Sequence, residues 1–189
     1  MGGNRSWVGR MTVDDLLALV VDDWWQYEVV EGVLVRMAGR GDLATTLAAT
    51  MIIELGAFIR SGKLGRVTSS NGVFKFPGAE TGLIPDVGFY GAEPARSIAD
   101  RNKPIPFAPE LAVEIASPSQ NASELAAKAR TYLNAGTRLV WAVLPRAQAV
   151  DVWRAGTAGG PVVRLGMDDS LDGEDVVPGF RHPIADLFQ

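Results

Sequence analysis

The chain has 189 residues, of which 47% are hydrophobic and 21% charged, a composition that suits one compact domain with a substantial core. Its 18 Lys and Arg against 22 Asp and Glu leave a net charge of -4, so no overall positive field draws in polyanions and a histone-like coat is excluded. It contains no Cys and a single His, which excludes disulfide scaffolds, thiol nucleophiles and zinc sites built from Cys and His.

Residues 1–10 read as a flexible leader and 11–189 as a single domain. Met1 to Ser6 lack the basic-then-apolar order of a secretion signal, and no apolar run approaches the ~18 residues that span a bilayer, so the expectation is a cytoplasmic protein with no membrane partner. Thr12 with Asp15 resembles a capping box, and Leu16, Leu17, Leu19 and Val20 supply the apolar stripe of a short helix, a lid or clamp. Tyr27 to Met37 holds two β-branched runs around Glu31-Gly32, the pattern of a hairpin, in which Glu28 is an unexpected polar residue. From Asp42 to about Ser61, Leu43, Leu47, Met51, Leu55, Phe58 and Ile59 keep helical spacing, with Asp42 as N-cap and Gly62 as stop.

Strands are predicted at Gly65 to Ser70 and Val73 to Phe76, with Asn71-Gly72 as the turn between them. Ile84 to Tyr90 is a further strand, and Pro85, which cannot donate to a ladder, favours its edge or its start. Gly91 to Pro109 reads as a surface excursion. Leu111 to Ile115 is nearly continuous apolar, as in a strand buried on both faces. Asn121 with Glu124 caps a helix from about Ala122 to Asn134, which Gly136 ends. Leu139 to Leu144 and Val150 to Arg154 are strands around a Pro145-Arg146 turn, and the strand, helix, strand order of 111 to 144 implies a right-handed crossover between parallel neighbours. Val162 to Leu165 adds a strand before a closing tail, Leu171 to Gln189.

Two carboxylates stand where they are least expected: Asp86 after Pro85, and Glu114 within Leu111 to Ile115. A buried carboxylate must be paired, hydrogen-bonded or bound to a cation. A single one reads most simply as an Arg partner or a turn cap. Two on neighbouring strands, with Glu28 as a third candidate, repel one another unless a divalent cation holds them. Lys128 lies at the edge of the core-facing stripe of Leu125, Ala129 and Tyr132, so its ammonium reaches toward the Glu114 strand; the alternative is an exposed pair with Glu124, worth about 0.2–0.5 kcal/mol. Asp and Glu on Mg²⁺, with Lys beside the developing charge, form a kit for phosphoryl chemistry.

These residues sit within an ordered set: Met11 to Leu17, Tyr27 to Val35, Pro85-Asp86-Val87, Val113 to Ser119, Lys128 to Tyr132, Ala135-Gly136-Thr137, Val140 to Val143, Leu171-Asp172-Gly173 and Pro178-Gly179-Phe180. By it the chain resembles the Uma (Uma-two) family of restriction endonucleases within the PD-(D/E)XK nuclease superfamily. The resemblance implies an α/β fold, a restriction-endonuclease-like mixed β-sheet flanked by helices, with an N-terminal helix and β-hairpin. It also implies a Mg²⁺-dependent endonuclease, Mn²⁺ being the alternative metal, that hydrolyses DNA phosphodiester bonds. Asp86 and Glu114 would be its metal ligands, Glu28 a further acidic contributor and Lys128 the catalytic lysine. Two departures stand out. The usual Glu-x-Lys would place Lys at Ala116, so Lys128 acts from the helix; relatives carry a His near the position of Leu43. The competing reading is a catalytically weak nuclease fold kept as a binding or assembly module, and a homodimer is left open as partner.

Other motifs have plainer readings. Arg40-Gly41-Asp42 is a helix start rather than an adhesion signal, and Gly62-Lys63 lacks the spacing of a phosphate-binding loop. His182, the lone His, does not build a Ser-His-Asp triad. Trp141 and Trp153 are core, whereas Trp24-Trp25 are candidates for stacking on bases. Arg60, Lys63 and Arg66 form a basic cluster, either a phosphate contact or a solvated helix end.

Overall fold

The computed structural model describes residues 10–18, 27–37, 41–117, 120–156 and 160–189. Leu19, Val20, Trp24, Trp25, Arg40, Pro118 and Ser119, named above, lie outside them, as does most of the leader.

A six-stranded mixed sheet organises the chain. In chain order its strands are β3 (Gly65–Ser69), β6 (Val87–Gly91), β7 (Leu111–Ile115), β8 (Leu139–Leu144), β9 (Ala149–Arg154) and β10 (Val163–Leu165), arranged β10-β9-β8-β7-β6-β3. Within this sheet, among the described residues, only β7 and β8 run parallel, and helix α4 (Ala122–Asn134) connects them, as the strand, helix, strand order requires. All five residues of β7 are buried, because it is central in the sheet and covered on both faces.

Side chains alternate across these strands, and the two faces differ. One carries Val87, Phe89, Leu111, Val113, Ile115, Leu139, Trp141 and Val143 into the larger core. Helix α2 (Asp42–Gly62) closes that face with Ala44, Leu47, Met51, Leu55 and Ile59. The closing tail seals it further: β11 (Ser170–Asp172) pairs with β12 (Arg181–Pro183), and α5 (Ile184–Leu187) follows, burying Leu171, Phe180, Ile184 and Leu187. Phe180 stacks on Trp141 with ring centroids 6.0 Å apart. The other face carries Tyr90, Ala112, Val140, Ala142 and Trp153 against Leu125, Ala129 and Tyr132 of α4.

A second sheet lies on this latter side. Its order is β2-β1-β5-β4, from β1 (Tyr27–Val30), β2 (Val33–Arg36), β4 (Phe74–Lys75) and β5 (Gly82–Leu83). β1 and β2 form the expected hairpin, and its turn residues Glu31 and Gly32 both have positive φ, 51° and 80°. Helix α1 (Val13–Ala18) begins at Thr12, whose hydroxyl accepts from the Asp15 amide while the Asp15 carboxylate accepts from Thr12. The two sheets touch at Gly88, where a Cβ would fall 2.7 Å from the Phe74 ring.

Several sequence expectations change. Asn71-Gly72 does turn, with the Gly72 amide on the Ser69 carbonyl at 3.0 Å, but the flanking strands do not pair: β3 joins the six-stranded sheet and β4 the second one. Of the two places expected for Pro85 the start is the one observed: it lies at the entry to β6, which is interior to the sheet between β7 and β3. The N-cap of α2 is Gly41, and the left-handed residue at its end is Lys63 rather than Gly62. Leu43 is 53% exposed, and Ala44 takes its place in the core. Helix α2 also has the length and mean hydropathy, 1.5, of a membrane-crossing helix; its stripe of Ala44, Leu47, Met51, Leu55 and Ile59 packs on the sheet. The excursion from Gly91 to Pro109 contains α3 (Ala92–Ser97) and returns to bridge Ile105 with Phe74.

Candidate active site

The pairing of β6 with β7 sets Val87 against Val113, which brings Asp86 opposite Glu114 on the face covered by α4. Asp86 is 1% exposed, and its Oδ2 accepts the Ile115 amide at 2.7 Å. Glu114, 3% exposed, stands in mid-strand with its carboxylate toward the helix.

Helix α4 is aimed by its own sequence. Asn121 accepts from the Glu124 amide at 2.9 Å while the Glu124 carboxylate accepts from the Asn121 amide at 3.1 Å, a reciprocal capping box that fixes the first turn. Glu124 is thus engaged at the cap rather than with Lys128. From that start Leu125, Ala129 and Tyr132 face the sheet, with Lys128 beside them. The Tyr132 hydroxyl donates to Glu114 Oε1 at 2.7 Å. Lys128 Nζ lies 3.0 Å from Glu114 Oε1 and 3.0 Å from Glu28 Oε1, with 13% of its side chain exposed.

Glu28 reaches this point from β1 across the second sheet. Its Oε1 also accepts the Ile84 amide at 2.7 Å, so Glu28 ties the hairpin to the segment leading into Asp86. All four residues expected at the site are therefore in one neighbourhood: Glu28, Lys128 and Glu114 in direct contact, and Asp86 across the strand pair from Glu114. The sequence pattern marks Tyr132 as a core residue only. The signal for its second role was its place one turn after Lys128, together with a phenol that needs a partner when buried.

Burial pushes the Glu28 carboxyl up; Lys128 opposes that push and Glu114 adds to it. Burial alone would lower the Lys128 pKa, but the Glu114 and Glu28 carboxylates reverse this and hold it above the ordinary value. Burial and then Glu114 push the Tyr132 hydroxyl well up. At neutral pH Lys128 is therefore a fixed positive charge and Tyr132 a fixed donor. Lys128 can stabilise negative charge but does not serve as a base.

Among the described residues, no three His, Cys, Asp or Glu side chains group as a metal cage. The donors that do meet are all carboxylate oxygens, and Mg²⁺ is commonly held by one or two carboxylates with waters and a substrate phosphate. Asp86 and Glu114, opposite each other across β6 and β7, are carboxylates of the type that such a site uses. Leu43 lies on the helix that covers the opposite face. His182 is likewise remote, stacked on Phe180 in the other core with centroids 6.5 Å apart.

No curated protein matches the chain. Among solved structures it is similar to a putative nuclease belonging to DUF820 from Anabaena variabilis ATCC 29413, at 19% identity and a TM-score of 0.76 over 94% of this chain and 97% of that one. At that identity the likeness establishes the fold. A profile described as "Putative restriction endonuclease" matches residues 13–185, nearly the whole of the chain and both sheets that form the carboxylate site, and so the chain belongs to the Uma2 family.

Proposed function

We propose that this protein is a metal-dependent endonuclease that hydrolyses DNA phosphodiester bonds. The observation that carries this reading is the convergence of Glu114 and Glu28 on Lys128, each at 3.0 Å, beside Asp86, in a chain of this family. Asp86 and Glu114 would hold Mg²⁺ or Mn²⁺, which when bound supplies Lewis-acid polarisation of a phosphoryl oxygen and a bound water of lowered pKa. Lys128, kept charged by its two glutamates, offers a donor to negative charge developing on the phosphate. Glu28 orients Lys128, and Tyr132 holds the Glu114 carboxylate in one rotamer.

A plasmid-nicking assay with Mg²⁺ or Mn²⁺ tests the reading, using Asp86→Asn, which removes the charge but keeps an oxygen for the Ile115 amide. Nicking by wild type that the variant loses, at equal thermal stability, is the expected result. Equal nicking by both sinks the catalytic reading.

A second reading has its own observation. Asp86, Glu114 and Glu28 are only 1–3% exposed, and Lys128 already neutralises two of them, as in a structural ion network. On this reading the fold is a binding or assembly module. Calorimetric titration with Mn²⁺ separates the two: a module gives no saturable heat that Glu114→Ala removes.

A further inference from the structure

Among the described residues several cations of this acidic chain are paired: Lys75 with Asp14, Arg154 with Glu174, Arg164 with Asp151, Arg181 with Asp172. Three that are not come together elsewhere. Arg66 on β3 and Arg101 and Lys103 in the 91–109 excursion line one cleft of about 320 Å³, with Asn71 and Asn102 among its other walls. No Asp or Glu lines it. The nearest acid in sequence, Asp100, is engaged by the Asn102 amide at 2.9 Å. Among the described residues none of the three cations has a carboxylate partner. Like charges gathered without counter-ions cost stability unless an anion joins them.

The sheet register relates this cleft to the carboxylates. Arg66 pairs with Tyr90 and Thr68 with Gly88, so Arg66 and Thr68 share the face of Tyr90, Gly88 and Asp86. Asp86 and Tyr90 are then about 14 Å apart along the strand at ~3.4 Å per residue. One strand of a DNA duplex advances about 3.4 Å per phosphate, so the cleft stands about four nucleotides from the carboxylates, beyond the Phe74 edge of the second sheet. The basic cluster expected after α2 is thus divided: Arg66 turns into the cleft, while Arg60 and Lys63 stay exposed at the helix end.

We infer that Arg66, Arg101 and Lys103 form a binding site for a backbone phosphate of nucleic acid, separate from the carboxylate centre and on the same face of the sheet. The choice of nucleic acid as the phosphate source rests on the nuclease reading; the anion site itself rests on the cleft. Guanidinium forks suit a phosphate's oxygens.

The test is fluorescence anisotropy of a labelled DNA duplex in EDTA, where no cleavage occurs, across a salt series. Arg66→Ala and the pair Arg101→Ala/Lys103→Ala are each expected to weaken binding about tenfold and to flatten the salt dependence by about one phosphate contact. Arg60→Ala/Lys63→Ala is the control and is expected to bind nearly as wild type does. Arg101 and Lys103 are exposed, so their variant carries the test should Arg66→Ala melt early. Pocket variants that bind like wild type, or an equal loss in the control, overturn the site; a wild type that does not bind DNA overturns the backbone assignment. Inorganic phosphate and a mononucleotide form a further arm; protection of wild type but not the pocket variants by either alone, without DNA binding, overturns the backbone assignment. Wild type that binds through this cleft without ever nicking DNA overturns the catalytic reading only.

Discussion

Lys128 and Tyr132, one turn apart on α4, converge on a single oxygen: Glu114 Oε1 takes the Tyr132 hydroxyl at 2.7 Å and has the Lys128 ammonium 3.0 Å away. The helix therefore grips the strand carboxylate at two points, one neutral and one charged. A carboxylate held this way keeps one orientation without any further ligand.

Removing the charge should expose the repulsion it masks. Lys128→Met leaves Glu28 and Glu114 buried without a counter-ion, for a loss of about 3–5 kcal/mol near pH 8. The sign with pH follows from Glu28, whose folded pKa is already raised above 4.5. A raised carboxyl binds its proton more tightly when folded, so its unfavourable contribution grows as pH rises and vanishes below the unfolded value. Losing Lys128 removes the influence that lowers this pKa, so the deficit should shrink toward pH 5. Urea melts of both proteins at the two pH values check this; a deficit independent of pH would mean the variant fails for packing reasons.

Tyr132→Phe keeps the ring, which packs edge-on to Phe76 with centroids 5.8 Å apart, and deletes the bond to Glu114. A hydrogen bond to a charged group is worth about 1.5–3 kcal/mol, and stability should fall by that amount. On the nuclease reading kcat should fall while KM stays, because Tyr132 is fully buried and would act through Glu114. A change confined to KM would place Tyr132 at the substrate instead.

Asn121→Ala removes the capping box of α4 and should cost about 1 kcal/mol by thermal melt. Hydrogen exchange should quicken in the first turn and stay slow at Ala129 and Tyr132, which are held by the sheet. Exchange quickening along the whole helix would show that the cap, rather than packing, holds it.

Gly88→Ala tests the contact between the sheets. The added Cβ meets the Phe74 ring and Thr68 Oγ1, each at 2.7 Å, and the strain should cost about 1–3 kcal/mol. A partner change of Phe74→Leu, which gives way at that point, should recover part of the loss; no recovery would move the strain to Thr68.

Much of this organisation is readable in the sequence, and what is not has physical causes. The hairpin at Glu31-Gly32, the buried β7 and the capped α4 follow from local patterns strong enough to survive packing. The second sheet does not, because β4 and β5 have two residues each and no period can be read from two residues. Asn71-Gly72 says where the chain bends and nothing about which strands pair across the bend. Leu43 fits a series of steps of four, but each such step drifts by about 40° around a helix of 3.6 residues per turn, so Ala44 shares the buried side with Leu47 and Leu43 does not. At the site, Asp86, Glu114 and Glu28 were visible as carboxylates in apolar strands. The hydroxyl of Tyr132 was hidden, because a tyrosine on a core stripe looks the same with or without a carboxylate beneath it.

The four groups of the site differ in how much chain lies between them and their partners. Tyr132 and Glu114 are 18 residues apart, whereas Glu28 and Ile84 are 56 apart. Closing the longer loop costs more entropy, and contacts between distant segments are slower to form. The strand, helix, strand unit from β7 to β8 can thus assemble Glu114, Lys128 and Tyr132 among themselves, with Lys128 satisfied by one carboxylate. Docking of the hairpin then delivers the second carboxylate to an ammonium already in place. Refolding should accordingly reach a protected β7–α4–β8 unit before β1 acquires protection, and a chain lacking the hairpin would keep the lysine and one glutamate paired.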